Sequence, residues 1–238
     1  AGLTPAVSAT VTVYAAAATS LYIYSHVTVA AAGGDFEPAT EIVGLDRYNN
    51  AAGLVNATVS ASRVSGPGRL QGVTQVVSSA GFATFSNLSL TAVGTYRVAY
   101  ASPGLGAVTS ANVTAAANVP YAVAVLVQPS TVVTAGVPFV QQPQAAVVDQ
   151  LGNIIAGATN EVFVGVYSGP GSVSGRTALL PTNGVAAFTN QDLRAAGTNI
   201  TLVFYNPDLY GGVSTAMTVR PHPVAAQIGT HIEASALV

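Results

Sequence analysis

Four asparagines stand two residues ahead of a hydroxyl side chain: Asn56-Ala57-Thr58, Asn87-Leu88-Ser89, Asn112-Val113-Thr114 and Asn199-Ile200-Thr201. This spacing is the acceptor pattern for N-linked glycans, whose bulk requires the asparagine to face solvent. Asn56 shares parity with Thr58 and Ser60, opposite Ala57, Val59 and Ala61. Asn112 lies opposite Ala111 and Val113, and Asn87 falls in a turn-like stretch. All four are therefore expected to reach solvent and, in a host that modifies this motif, to carry glycans. In a host that does not, they are plain surface asparagines.

Other reactive side chains are sparse. His26, His222 and His231 have no nucleophilic or acidic neighbour in a repeated pattern, and no usual nucleophile or metal motif is present. The absence of cysteine removes disulfides, thiolate metal sites and cysteine nucleophiles. Asp35, Glu37 and Glu41, or Asp46 and Asp149, are the only carboxylates placed to suggest calcium. Calcium takes six to eight oxygens, and without a clustered acidic loop these residues read as turn caps and solvated charges. Tyr14, Tyr22, Tyr24, Tyr205 and Tyr210 have flat faces that suit sugars, although core and domain-contact positions are the commoner use of such rings. The expectation is a protein that is not an enzyme and holds no cofactor.

The elements that carry these residues are duplicated. Residues 46–95 return at an offset of 103 without a gap, with 17 of 50 positions identical. Asp46 matches Asp149, and Ser65-Gly66-Pro67-Gly68 matches Ser168-Gly169-Pro170-Gly171. Gly81, Ala83, Phe85 and Asn87 return as Gly184, Ala186, Phe188 and Asn190, and Gly94-Thr95 returns as Gly197-Thr198. That is two copies of one domain. Beyond Thr198 the offset becomes 104, most simply through an inserted Asn199. Ile200, Leu202 and Phe204 then fall on Tyr96, Val98 and Tyr100 as the inward face of a strand, with Arg97 and Thr201 outward. Upstream, Leu21-Tyr22-Ile23-Tyr24 is set against Ala124-Val125-Leu126-Val127 as the first strand of each copy.

Short runs of Val, Ile, Thr, Tyr and Phe alternate in polarity between clusters of Gly, Pro, Asn and Ser, which is β structure throughout. The alanine runs 15–18 and 115–117 read as strand ends or linkers. About seven strands per copy suggest a two-sheet sandwich of immunoglobulin type. The expected fold is all-β, with two tandem immunoglobulin-like sandwiches at 17–119 and 120–221. Residues 1–16 form a strand-like tail, and 222–238 a second tail or the start of a further repeat. Residues 6–13 resemble the last strand of a copy, and 223–228 resemble a first strand. The chain is thus out of frame with its own repeat. It begins at Ala1 without methionine or a basic leader, as a processed or excerpted product would.

Composition limits the partners. Only 7% of the residues are charged, lysine and tryptophan are absent, and the net charge is -2. No basic patch is available for nucleic acid. Residues 1–34 carry no charge, yet neither do 98–148, whose five prolines no membrane helix would tolerate, so no membrane span is expected.

Gln128-Pro129-Ser130, Thr134-Ala135-Gly136, Val148-Asp149-Gln150-Leu151-Gly152-Asn153, Gly184-Val185-Ala186-Ala187-Phe188 and Ala196-Gly197-Thr198 resemble the tandem immunoglobulin-like, invasin-type repeats of large secreted surface proteins and adhesins. Copy one supplies Gly81-Phe82-Ala83-Thr84-Phe85-Ser86-Asn87-Leu88-Ser89-Leu90 and Gly94-Thr95-Tyr96, and the match covers residues 17–222. The resemblance implies spacers, stalks and walls outside the cell. Copy one departs where Asn49-Asn50 replaces Gly-Asn, which implies a turn of different shape. An exposed apolar strand is a template for another chain. With Val7, Ala9, Val11 and Val13 on one face, residues 1–16 are expected to enter a neighbouring copy, giving a head-to-tail extracellular polymer decorated with N-glycans. The alternatives are an adhesin module for a glycan or surface protein, or a segment of a longer repeat chain whose neighbours use the spare strands.

Overall fold

The computed structural model describes residues 3–223. Residues 1–2 and 224–238, with His231 and nearly all of the strand expected at 223–228, lie outside them. The chain divides into two compact units between Ala116 and Ala117. The first contains β1 (Ser20–Ser25), β2 (Val29–Ala31), β3 (Thr40–Leu45), β4 (Thr58–Ser65), β5 (Leu70–Gln71), β6 (Gln75–Val77), β7 (Phe82–Phe85), β8 (Ser89–Leu90), β9 (Gly94–Ser102), β10 (Gly106–Thr109) and β11 (Val113–Ala116). One sheet runs β1-β3-β7 and the other β2-β11-β9-β4-β6, with β10 on β9 and a small β5-β8 pair at the side.

The second unit repeats the plan. It holds β12 (Ala122–Val127), β13 (Val132–Thr134), β14 (Gln144–Val148), β15 (Val162–Ser168), β16 (Val173–Ser174), β17 (Ala178–Leu179), β18 (Val185–Ala187), β19 (Asp192–Leu193), β20 (Gly197–Asn206), β21 (Leu209–Val213) and β22 (Met217–Arg220). β12-β14-β18 faces β13-β22-β20-β15-β17, with β21 also on β20, and a bridge from Ala122 of β12 to Tyr210 of β21 joins the two. Each unit is an all-β sandwich of the immunoglobulin kind.

Alternation places the cores. In β9, Tyr96, Val98 and Tyr100 are buried while Thr95 and Arg97 are exposed. In β20, Ile200, Leu202 and Phe204 occupy the same places, as the repeat requires. Phe85 lies 5.3 Å from Tyr100 in one core and Phe188 lies 5.5 Å from Phe204 in the other, centroid to centroid. The inserted Asn199 takes φ 57° and breaks the β20–β22 register between Gly197 and Ile200, so the extra residue is a β-bulge.

Two expectations change. The first strands align one residue away from the sequence setting. Ser20 pairs with Leu45 and Ala122 with Val148, so Leu21 corresponds to Val123 rather than Ala124. The offset of 103 resumes at β2 and β13, because the second copy has one more residue in the preceding loop. The turn after β3 also keeps its shape. Asn49 at φ 64° does what Gly152 does at φ 83°, and the Asp46 N–H bonds Asn50 O at 3.0 Å as Asp149 bonds Asn153 O at 3.0 Å. Asparagine tolerates the left-handed region better than other side chains, so Asn49 substitutes for glycine.

The repeated Ser-Gly-Pro-Gly loop is explained by contact. Gly66 has φ 110°, and a Cβ there would enter the Tyr96 ring; Gly169 has φ 102°, and its Cβ would lie 2.7 Å from Ile200 Cγ1. The prolines between them cover Gly94 and Gly197, which is why all these positions recur together. Gly66→Ala and Gly169→Ala should each weaken their own unit by about 2–4 kcal/mol in urea denaturation. Gly104→Ala, also at positive φ but in open space, should cost only about 1 kcal/mol. Equal losses at all three positions would refute the contact argument.

Candidate functional site

Residues 3–13 form no regular structure, and 3–17 are exposed throughout. Val7, Val11 and Val13 are 94%, 79% and 86% exposed. Branched apolar side chains are more often buried, and here an uncharged run of them lies in solvent. The expected interface residues Val7, Ala9, Val11 and Val13 all lie on this arm, which pairs with none of the described strands.

The arm is fastened at its base. The Ala16 N–H donates to Asp46 Oδ2 at 3.0 Å, and the Thr19 N–H donates to Leu45 O at 2.8 Å. Asp46 also accepts from the backbone N–H groups of Tyr48 (2.8 Å) and Asn50 (2.9 Å) and from the Asn50 side-chain amide (3.0 Å). Asp149 repeats the set with Asn118, Leu151 and Asn153 at 2.9 to 3.1 Å. These two aspartates are therefore turn caps and chain anchors, as the sequence favoured over calcium ligands. Hydrogen bonding by the Asn50 amide, opposed by burial and supported by the three backbone N–H groups, lowers the Asp46 pKa from 3.8 to about 2. At Asp149 burial opposes ionisation, but the bonds from Asn118, Asn153 and Leu151 outweigh it and the pKa is again lowered.

Of the sequon asparagines, Asn56, Asn112 and Asn199 are exposed. Asn56 sits in a bend ahead of β4 at φ 49°, outside the strand whose alternation was used to orient it. Asn112 occupies the gap between β10 and β11. Asn87 is half-buried, and its Oδ1 accepts from the Val73 N–H at 2.9 Å.

The remaining candidates do not converge. Asp35 and Glu37 are exposed and Glu41 is half-buried, and among the described residues no group of three His, Cys, Asp or Glu could hold a metal. His26 Nδ1 lies 2.8 Å from Val27 O, and His222 follows β22. Tyr14, Tyr22, Tyr24, Tyr205 and Tyr210 are exposed rather than in the cores. Tyr24 packs edge-on to Phe82, Tyr205 on Phe163, and Tyr210 on Tyr121, each at about 5 Å between centroids. Among the described residues no helix is long and apolar enough to cross a membrane.

Two serines went unremarked in the sequence. Ser110 Oγ accepts from the Val98 N–H at 3.0 Å while the Ser110 N–H donates to Val98 O at 2.8 Å. Ser214 does both to Leu202, at 2.9 and 2.8 Å. Each serine clamps the last strand of its unit to the middle of β9 or β20. The only sequence signal is their recurrence at the offset of 104.

No family model matches the chain, and no curated protein matches it. Among solved structures it is similar to the D00-D0 domain of intimin, at 14% identity and a TM-score of 0.45, covering 84% of this chain and 98% of that one. It is also similar to domains 1–6 of the surface layer protein SbsC, at 17% identity and a TM-score of 0.32, covering 87% of this chain and 28% of that one. A glycosyl hydrolase family 2 member from Bacteroides cellulosilyticus matches at 13% identity and a TM-score of 0.38, covering 79% of this chain and 23% of the enzyme. At these TM-scores no functional residue is carried over from any of them. The class defined by the chain's own strand order is the tandem immunoglobulin-like sandwich.

The anchors give a pH signature. A depressed carboxylate pKa contributes stability in full above its unfolded value and loses it as pH falls through the folded one. For Asp46 that window runs from 3.8 down to about 2. Melting temperature should fall across this range in the unaltered chain. In an Asp46→Asn, Asp149→Asn double variant it should start lower at neutral pH and change less on acidification. An unchanged acid slope would remove the anchoring role.

Proposed function

We propose that the chain is a structural subunit of an extracellular filament, stalk or surface coat, in which residues 1–16 leave one subunit and add as a strand to the next. The observation that carries this reading is the arm: an uncharged, alternating apolar segment, exposed over residues 3–17 and hydrogen-bonded to its unit at Ala16. Strand addition supplies main-chain hydrogen bonds and buries the alternate side chains. A donor at one end of the subunit and an acceptor elsewhere make a heterologous contact, which repeats without closing. The low charge of the whole chain suits a surface largely covered by copies and glycans rather than one held apart by charge repulsion.

The paired surface rings favour a second reading, an adhesin module that stacks its tyrosines on a glycan. Tyr121 and Tyr210, 4.9 Å apart on the surface of the second unit, are its best platform. It requires saturable binding by a dispersed monomer, which a glycan array reads directly.

Removing residues 1–14 should abolish sedimentable assembly and leave the circular dichroism of both sandwiches in place. A truncated chain that still polymerises normally would end the filament reading. On protein taken from its native source, peptide mass spectrometry should find glycans at Asn56, Asn112 and Asn199 ahead of Asn87, whose amide is half-buried. Glycan on Asn87 alone would contradict that order.

A further inference from the structure

The anchors fix how the arm aligns with the repeat. Ala16 and Asn118 donate to equivalent carboxylate oxygens, so the residues ahead of them correspond one to one at an offset of 102. At that offset Ser8, Ala9, Val11, Thr12 and Ala15 are identical to Ser110, Ala111, Val113, Thr114 and Ala117. In the second unit Ser214, Thr218 and Val219 match Ser8, Thr12 and Val13. The arm therefore carries the whole pattern of a last strand, including the serine that clamps it.

In both units that pattern does not keep one face. β10 ends at Thr109 and β11 begins at Val113; β21 ends at Val213 and β22 begins at Met217. The two residues after each serine lie outside strands, and the alternation slips by one across them. Ser110, Val113 and Ala115 are buried, as are Ser214, Met217 and Val219, whereas Thr109 and Ala111 are exposed. Beyond the slip, Val113 and Ala115 pair antiparallel with Tyr96 and Gly94, and Ala115 also pairs parallel with Ala30.

From this correspondence we infer that the arm is a last strand with a set register, resting on the strand-addition reading above. Ser8, Val11 and Val13 face the core of the acceptor, and Val7 and Ala9 face solvent. Its partner is an immunoglobulin-like unit of this same pattern, on a second molecule, whose slot between the β2-type and β9-type strands stands open. β11 and β22 fill both such slots in the described chain, so the accepting unit is one that has released or lacks its own last strand. The Ser8 hydroxyl and N–H engage the N–H and C=O at the middle of the β9-type strand, as Ser110 engages Val98. This divides the four apolar residues first placed on one face: Val11 and Val13 are interface residues, and Val7 and Ala9 are not. A generic sheet edge would use either face of the arm, whereas a last-strand slot accepts one.

The test needs an acceptor with an empty slot. A full-length chain carrying Met217→Asp and Val219→Asp loses its own last strand, and Val11→Asp with Val13→Asp silences its arm. A synthetic peptide of residues 3–16 should bind this chain saturably and restore amide protection in the second unit. A Val11→Asp, Val13→Asp peptide should bind at least about 100-fold more weakly, because two charges would enter the core. A Val7→Asp, Ala9→Asp peptide should stay within about threefold. Failure of the unaltered peptide to bind, or equal weakening of both altered peptides, would overturn the inference. Assembly of the unaltered chain, followed separately by sedimentation, reports on the filament reading. Peptide binding in register without assembly would remove the filament and keep the strand. Assembly that survives Val11→Asp with Val13→Asp in the full chain would remove the strand register and keep a filament built otherwise.

Discussion

Each unit is held to the chain that enters it by one buried carboxylate. Asp46 accepts four hydrogen bonds and Asp149 five, in each case one from the backbone of the incoming segment and the rest from the turn that follows. Aspartate is suited to this because two oxygens on a short stem can satisfy neighbouring N–H groups that the turn leaves without partners. Fixing the incoming chain sets the start of β1 or β12, and the register of that strand on β3 or β14 follows. In the second unit the fastened segment is the link from β11; in the first it is the arm. The same bond therefore fastens a linker in one place and the exposed arm in the other.

Much of the fold was legible because its repeated residues are those with no alternative. Gly66 and Gly169 recur since a side chain would collide with the strand crossing behind them, and Pro67 and Pro170 recur since Gly94 and Gly197 make room for them. The inward face of β9 and β20 followed from simple alternation. The first strand did not, because Leu21-Tyr22-Ile23-Tyr24 and its counterpart are apolar at nearly every position and permit two alignments. Burial then separates them, with Leu21 and Val123 inside. The turn at Asn49 was misjudged because residue identity was taken for conformation, although asparagine reaches the same φ.

The likeness of the arm to a last strand was legible in the sequence, but the break within the last strands of the two units was not. A sheet strand is expected to alternate without interruption, and Val7, Ala9, Val11 and Val13 satisfy that expectation. The break after Ser110 and Ser214 is invisible to periodicity, since Ala111, Asn112, Thr215 and Ala216 are small or polar residues that suit either strand or bend. Only the burial of both serines, with their hydroxyls on β9 and β20, exposes the slip. The tyrosines show the opposite failure. Their rings lie on the surface, those of Tyr24, Tyr205 and Tyr210 each against another ring, where the commoner use of such residues is the interior.

The bulge at Asn199 bears on how such repeats diverge. Adding one residue to a central strand ordinarily turns every later side chain to the wrong face, which makes these strands the least forgiving places for a change in length. Here the extra residue loops out at φ 57°, ahead of the first core side chain, and Ile200, Leu202 and Phe204 keep their places. The loop before β13 absorbs another residue in the same way. Copies of this domain are thus free to drift in length at a few permissive joints while their interiors remain interchangeable, so a long array can vary its surface spacing without being rebuilt.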